Sequence, residues 1–135
     1  MTRRRTFVTK LGAVLSASGL SLIPFKGRAH DTTGRFYHVV YFWLKEPDNE
    51  AKNVRFLKSL NSFLDEVEVI QTKHVGTPAG TDREVIDSSY TFSLVATFKN
   101  KQDQDIYQEH ASHKRFISES QGLWSKVQVY DSIAI

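Results

Sequence analysis

The chain has 135 residues, 40% of them hydrophobic and 24% charged, with seven glycines, three prolines and no cysteine. That length supports one domain core and not two, and without cysteine there are no disulfides, thiolate metal sites, cysteine nucleophiles or lipidated cysteine anchors. The formal charge of +3 is uneven: residues 1–29 hold six basic side chains and no acid, leaving 12 Lys and Arg against 15 Asp and Glu, a net of −3, in residues 30–135, so no nucleic-acid partner is expected.

The six basic residues are Arg3, Arg4, Arg5, Lys10, Lys26 and Arg28. A weakly apolar run from Leu11 to Phe25 follows the arginines and ends at Gly27-Arg28-Ala29, the layout of a secretory signal. Arg4-Arg5-Thr6-Phe7-Val8 resembles the twin-arginine export motif. We therefore expect residues 1–29 to be a twin-arginine-type signal, with the export machinery as a partner and a periplasmic or extracellular destination. Gly12, Gly19 and Pro24 disfavour the competing reading of a long amphipathic helix. The chain lacks the unbroken apolar stretch of about 18 residues that a lasting membrane span needs.

Residues 30–35 read as a linker and 36–135 as the domain. Phe36 to Leu44 is rich in aromatic and β-branched residues and stops before Pro47, which predicts a strand. His38, Val40, Phe42 and Leu44 fall on one face, and Tyr37, Val39, Tyr41 and Trp43 on the other. Helices of the same chain can cover only one of these apolar faces, so a homodimer is expected. Asp48 is placed to cap a helix in which Val54, Leu57, Leu60, Leu64 and Val67 recur at helical spacing, with Phe56 and Phe63 flanking the stripe.

A weaker strand is predicted over Val69 to Val75, a loop over Gly76 to Asp82, and the clearest alternation over Tyr90 to Phe98. Asn100 caps a second helix with Ile106, Tyr107, His110, His113 and Ile117 inward, and Val127 to Ile135 is the last strand. This βαββαβ order predicts an α+β, ferredoxin-like fold, a four-stranded antiparallel sheet with its helices on one face. Fold alone assigns no activity.

His38-Val39-Val40, the run Tyr107-x-x-His110-Ala111-Ser112-His113-x-x-Phe116 and Val127-x-Val129-Tyr130-Asp131, in this order and spacing, resemble the stress-responsive dimeric α/β-barrel (Dabb) family. The resemblance spans most of residues 36–133. It implies a dimer whose two sheets close a barrel, and a small cavity between sheet and helices in each subunit. A plant member closes a linear polyketide by aldol condensation. By position its catalytic residues correspond to His38, Tyr107 and His113, and its pocket wall to Leu94, Phe116 and Trp124. Two positions depart from that pattern. Leu60 stands where the cyclase has a tyrosine, and the usual His-Pro-x-His reads His110-Ala111-Ser112-His113. Without the proline the helix can run straight on and move His113, whereas a break near His110 would turn Tyr107 and His113 onto one cavity.

The ligand-binding candidates are thus Leu60, Leu94, His110, Phe116 and Trp124, with His110 more suited to orienting a helix break than to touching ligand. Histidine supplies a base near neutral pH without a metal. No cofactor is expected. Nor is a metal, because His110 and His113 lack a carboxylate at a matching helical position. The favoured reading is an exported protein that binds a small apolar molecule. The alternatives are a cofactor-independent polyketide-cyclase-like lyase or monooxygenase, and a stress-protective dimer in which the histidines only fill a polar gap in the core. The residues alone leave enzyme and non-enzyme open.

Overall fold

The computed structural model describes residues 32–135, so the expected signal over 1–29 lies outside the described residues. Strand β1 (Phe36–Leu44) pairs antiparallel with β3 (Phe92–Phe98) on one side and β4 (Trp124–Ile133) on the other. β2 (Thr72–Gly76) pairs with β3, giving the sheet order β2-β3-β1-β4. β1 is therefore an interior strand with apolar residues on both faces. Its inward residues are buried and its outward ones half-buried.

Helix α1 (Glu50–Glu66) starts one residue later than expected. Its cap is Asn49, whose Oδ1 accepts the Lys52 N–H at 3.1 Å. Asp48 and Asn49 are equally good caps. Asn49 takes the position because its own N–H already closes a turn on the Glu46 carbonyl at 3.0 Å. The buried stripe keeps Leu60, Leu64 and Val67 of the expected one, with Leu57 packed against it, and departs at Val54. Phe56, Leu60, Phe63 and Leu64 are buried, whereas Val54 is 59% exposed. The two phenylalanines expected to flank the stripe form its centre, where they fill the space over the sheet that smaller side chains would leave empty.

β2 begins at Thr72 rather than Val69. Val67 and Ile70 close a turn first, the Ile70 N–H donating to the Val67 carbonyl at 3.3 Å. β3 begins at Phe92 rather than Tyr90, and β4 runs from Trp124 to Ile133 rather than from Val127 to Ile135. Two residues of the expected linker extend the sheet: Gly34 N–H and Arg35 carbonyl bond Ala134 at 2.8 and 2.9 Å. Gly34 has φ +79°, a conformation that L side chains rarely adopt.

The second predicted helix is two helices, α2 (Lys101–Glu109) and α3 (Ala111–Ser120). Asn100 caps α2 as expected, Oδ1 accepting the Asp103 N–H at 2.9 Å. His110, with φ −62° and ψ 138°, leaves helical geometry and caps α3 by accepting the Ser112 N–H on Nδ1 at 3.1 Å. A clasp ties α3 to α1: the buried Ser112 hydroxyl donates to Glu66 at 2.5 Å, and Arg115 donates to the same carboxylate at 2.6 Å. The Ser112 hydroxyl, then the Arg115 guanidinium, hold the Glu66 carboxyl down at about 2.

Candidate functional site

A cavity of about 140 Å³ lies between the inner face of the sheet and the helices. Val40 and Phe42 of β1, Leu94 of β3 and Val127 and Val129 of β4 form its sheet wall. Phe63 of α1 and Phe116 and Ile117 of α3 form the helix wall, and Trp124 at the start of β4 also lines it. His38, Tyr107, Gln108 and His113 supply its polar groups. A larger concavity, about 540 Å³, runs between the outer faces of α1 and α3. Its Glu66, Arg115, Ser59 and Glu119 bond one another, so it is a solvated seam between the helices rather than a pocket.

The break at His110 performs the geometric task that proline was expected to perform. Tyr107 and His113 sit six residues apart, yet their ring centroids are 5.1 Å apart. His38 lies 5.3 Å from Tyr107, so the three rings converge on one cavity. Leu94, Phe116 and Trp124 are on its wall. Leu60 and His110 are not: Leu60 is fully buried in the core, and the imidazole of His110 is engaged in capping α3.

Sequence reasoning missed Asp131. It stands opposite His38 in the β1–β4 register, and the His38 Nδ1–H donates to its Oδ1 at 2.6 Å. His38 is 6% exposed, so the carboxylate fixes both the rotamer and the tautomer of a buried ring. The available signal was the pairing itself: antiparallel alignment of the two inward rows brings Asp131 to His38 once the strand ends are known. Gln108 was missed as well, being one of several polar residues on α2.

His113 is half-buried, and its Nδ1–H donates to the Gln108 carbonyl at 3.1 Å. A carbonyl only accepts, so the neutral ring keeps its lone pair on Nε2. Burial lowers the His113 pKa below 6.5, repulsion from His38 lowers it further, and the Gln108 carbonyl opposes both. Burial, with a contribution from the Asp131 charge, holds the Tyr107 phenol well above its ordinary 10, so it stays a neutral donor. Among the described residues no group of three or more His, Cys, Asp and Glu side chains is placed to hold a metal. No described helix is long and apolar enough to cross a membrane.

The His113 shift sets a pH dependence. Its folded pKa lies below the unfolded one, so its contribution to stability is complete above about pH 6.5 and declines as pH falls toward the folded value. Ring-nitrogen NMR should show His113 titrating below a free histidine, with the proton on Nδ1 in its neutral form. Titration at or above 6.5 would contradict the site geometry.

Residues 36–134 match the family model described as Dabb, the stress responsive A/B barrel domain. The chain belongs to the Dabb family. No curated protein matches it. Among solved structures it is similar to a Dabb protein with a ferredoxin-like fold from Mesorhizobium loti, at 20% identity and TM-score 0.64, covering 76% of this chain and 98% of that one. It is similar to a hydroxynitrile lyase from Passiflora edulis, at 16% identity and TM-score 0.66, over 76% and 95% of the two chains. A dimeric ferredoxin-like protein from Thermobifida fusca matches at 13% identity and TM-score 0.61, over 74% and 91%. At these identities the likeness establishes the Dabb fold and leaves the chemistry of this cavity to its own residues.

Proposed function

We propose that this Dabb protein is an exported homodimer that binds a small, largely apolar molecule in the cavity of each subunit. The observation that carries the reading is a pocket with apolar walls on which His38, Tyr107 and His113 converge. Its volume of about 140 Å³ is close to that of an engineered cavity, roughly 150 Å³, that takes up benzene. The matching ligand is therefore about one ring in size, and a long polyketide chain would extend beyond the pocket. Self-association is supported by the aromatic outer face of the sheet and by the dimeric Thermobifida fusca protein of the same fold. Export rests on the Arg4-Arg5-Thr6-Phe7-Val8 segment.

One experiment tests these parts separately. Cells expressing the full chain are fractionated, and the protein from the exported fraction is examined by native mass spectrometry and then denatured to identify what is released. The expected result is a dimer with a defined small molecule, lost in Ile117→Trp, which puts an indole into the cavity. An empty dimer, even after the compartment's extract is added back, would sink the ligand reading, and protein found only in the cytoplasm would sink export.

A second reading, cofactor-independent lyase chemistry, is favoured by the state of His113, which presents an Nε2 lone pair on a ring kept neutral by burial. The Passiflora edulis hydroxynitrile lyase supports counting lyase chemistry among the uses of this fold. For an enzyme, His113→Ala would cut turnover by roughly 10²- to 10⁴-fold, far more than the loss of about 1 kcal/mol of stability expected from its bond to Gln108 would explain. A merely structural histidine would show the stability loss and no turnover to lose.

A further inference from the structure

We infer that Gln108 selects ligands that carry a hydrogen-bond-accepting oxygen, with a neutral carbonyl as the matching group, and holds that oxygen at the cavity mouth. The inference rests on the small-molecule reading and adds to it an orientation and a chemical class.

Gln108 is exposed at the end of α2 and also lines the cavity, so it stands where ligand enters. Its backbone carbonyl is occupied by His113. Its side-chain oxygen already accepts one bond: Gln104, 8% exposed and one turn earlier on α2, donates from Nε2 to Gln108 Oε1 at 3.1 Å. With both acceptors engaged, the carboxamide nitrogen of Gln108 is left to donate, and among the described residues no protein group accepts from it.

The other polar groups do not duplicate this function. Neutral His113 presents a lone pair, and a lone pair cannot hold a carbonyl oxygen. The Nδ1–H of His38 is spent on Asp131, and its other ring nitrogen is buried with the ring, 6% exposed, rather than open to solvent like Gln108. Tyr107 can donate but is 1% exposed, so its phenol is buried where the Gln108 side chain is open to solvent. A ligand that places its apolar body against Leu94, Phe116 and Trp124 therefore meets its mouth donor at Gln108. Gln104 acts through Gln108 and is a positioning residue.

The test uses cyclohexanone and methylenecyclohexane, which differ only in an oxygen replaced by a methylene group. Each is titrated into isotope-labelled wild-type protein and into Gln108→Leu, and dissociation constants are taken from NMR shift changes. Gln108→Leu should weaken cyclohexanone by roughly three- to tenfold, the range of a single neutral hydrogen bond, and leave methylenecyclohexane unchanged or slightly tighter. Gln104→Met should give a smaller loss on the ketone alone. Equal weakening of both probes, or no change in either, would overturn the role of Gln108 while the cavity reading stands. If neither probe moves cavity resonances of the wild type, the small-molecule reading fails and this inference with it.

Discussion

Phe56→Ala is expected to destabilise the domain by about 3–5 kcal/mol, read as a lower denaturant midpoint in equilibrium unfolding. Phe56 is completely buried, and its ring stacks on Phe92 at 5.5 Å with an interplanar angle of 8°. It also meets Phe42 at 5.0 Å and Phe116 at 5.8 Å, so one side chain bridges β1, β3, α1 and α3. Stiff rings on every side collapse poorly into a hole, which puts the cost high in the usual range. Domains of this size are stable by only about 5–15 kcal/mol, so the variant would be marginal. Val54→Ala on the same helix, at a site 59% exposed, should shift stability by no more than about 0.5 kcal/mol. A loss under about 1 kcal/mol for Phe56→Ala would mean that the aromatic cluster repacks freely. Because Phe42 and Phe116 also line the cavity, such a core could not hold its histidines in one geometry.

How far the fold could be read depended on what decides each element. β1 was legible to the residue because β-branched and aromatic side chains, ended ahead of a proline, leave little choice. Of the expected α1 stripe only Val54 is out of place, because hydrophobicity alone does not rank Phe56 against Val54. Volume does, since the space over the sheet requires rings. The break at His110 has no local signature at all, with neither proline nor glycine at 110–113. Non-helical bonds hold it: the His110 cap on Ser112, the His113 bond to Gln108 and the Ser112 clasp on Glu66, the last joining residues 46 apart in sequence. The cavity's histidines and tyrosine were therefore named from a resemblance, and the reason they converge emerged only from these side-chain bonds, two of them local and one tertiary. Leu60 shows the opposite failure. A position carried over from a relative's pocket is here ordinary core, because the α1 wall of this cavity is Phe63.

Tyr41→Asp should convert the proposed dimer to monomer, weakening association by about 100-fold or more. Tyr41 points away from the helices, and its ring lies 4.8 Å from Tyr90 and 6.3 Å from Tyr130. These rings share the outer sheet face with Tyr37, Val39 and Trp43, which no described helix covers. The cation that shares this concavity, Lys126, sits over the Trp43 ring at 4.3 Å, and a carboxylate at position 41 would have to draw it from there. An uncompensated charge would be buried each time two sheets met, a cost of several kcal/mol. Sedimentation across a concentration series reads the result, with Val54→Asp on the helical surface as a control that should still dimerise. If Tyr41→Asp sediments like the wild type, the sheet face is not the seam. The same variant asks whether each subunit is a complete site. The cavity is on the other side of the sheet, built by His38 and its inward neighbours. A folded Tyr41→Asp monomer should therefore bind cyclohexanone as the wild type does, and binding lost with the dimer would mean that the second subunit holds the cavity in its competent shape.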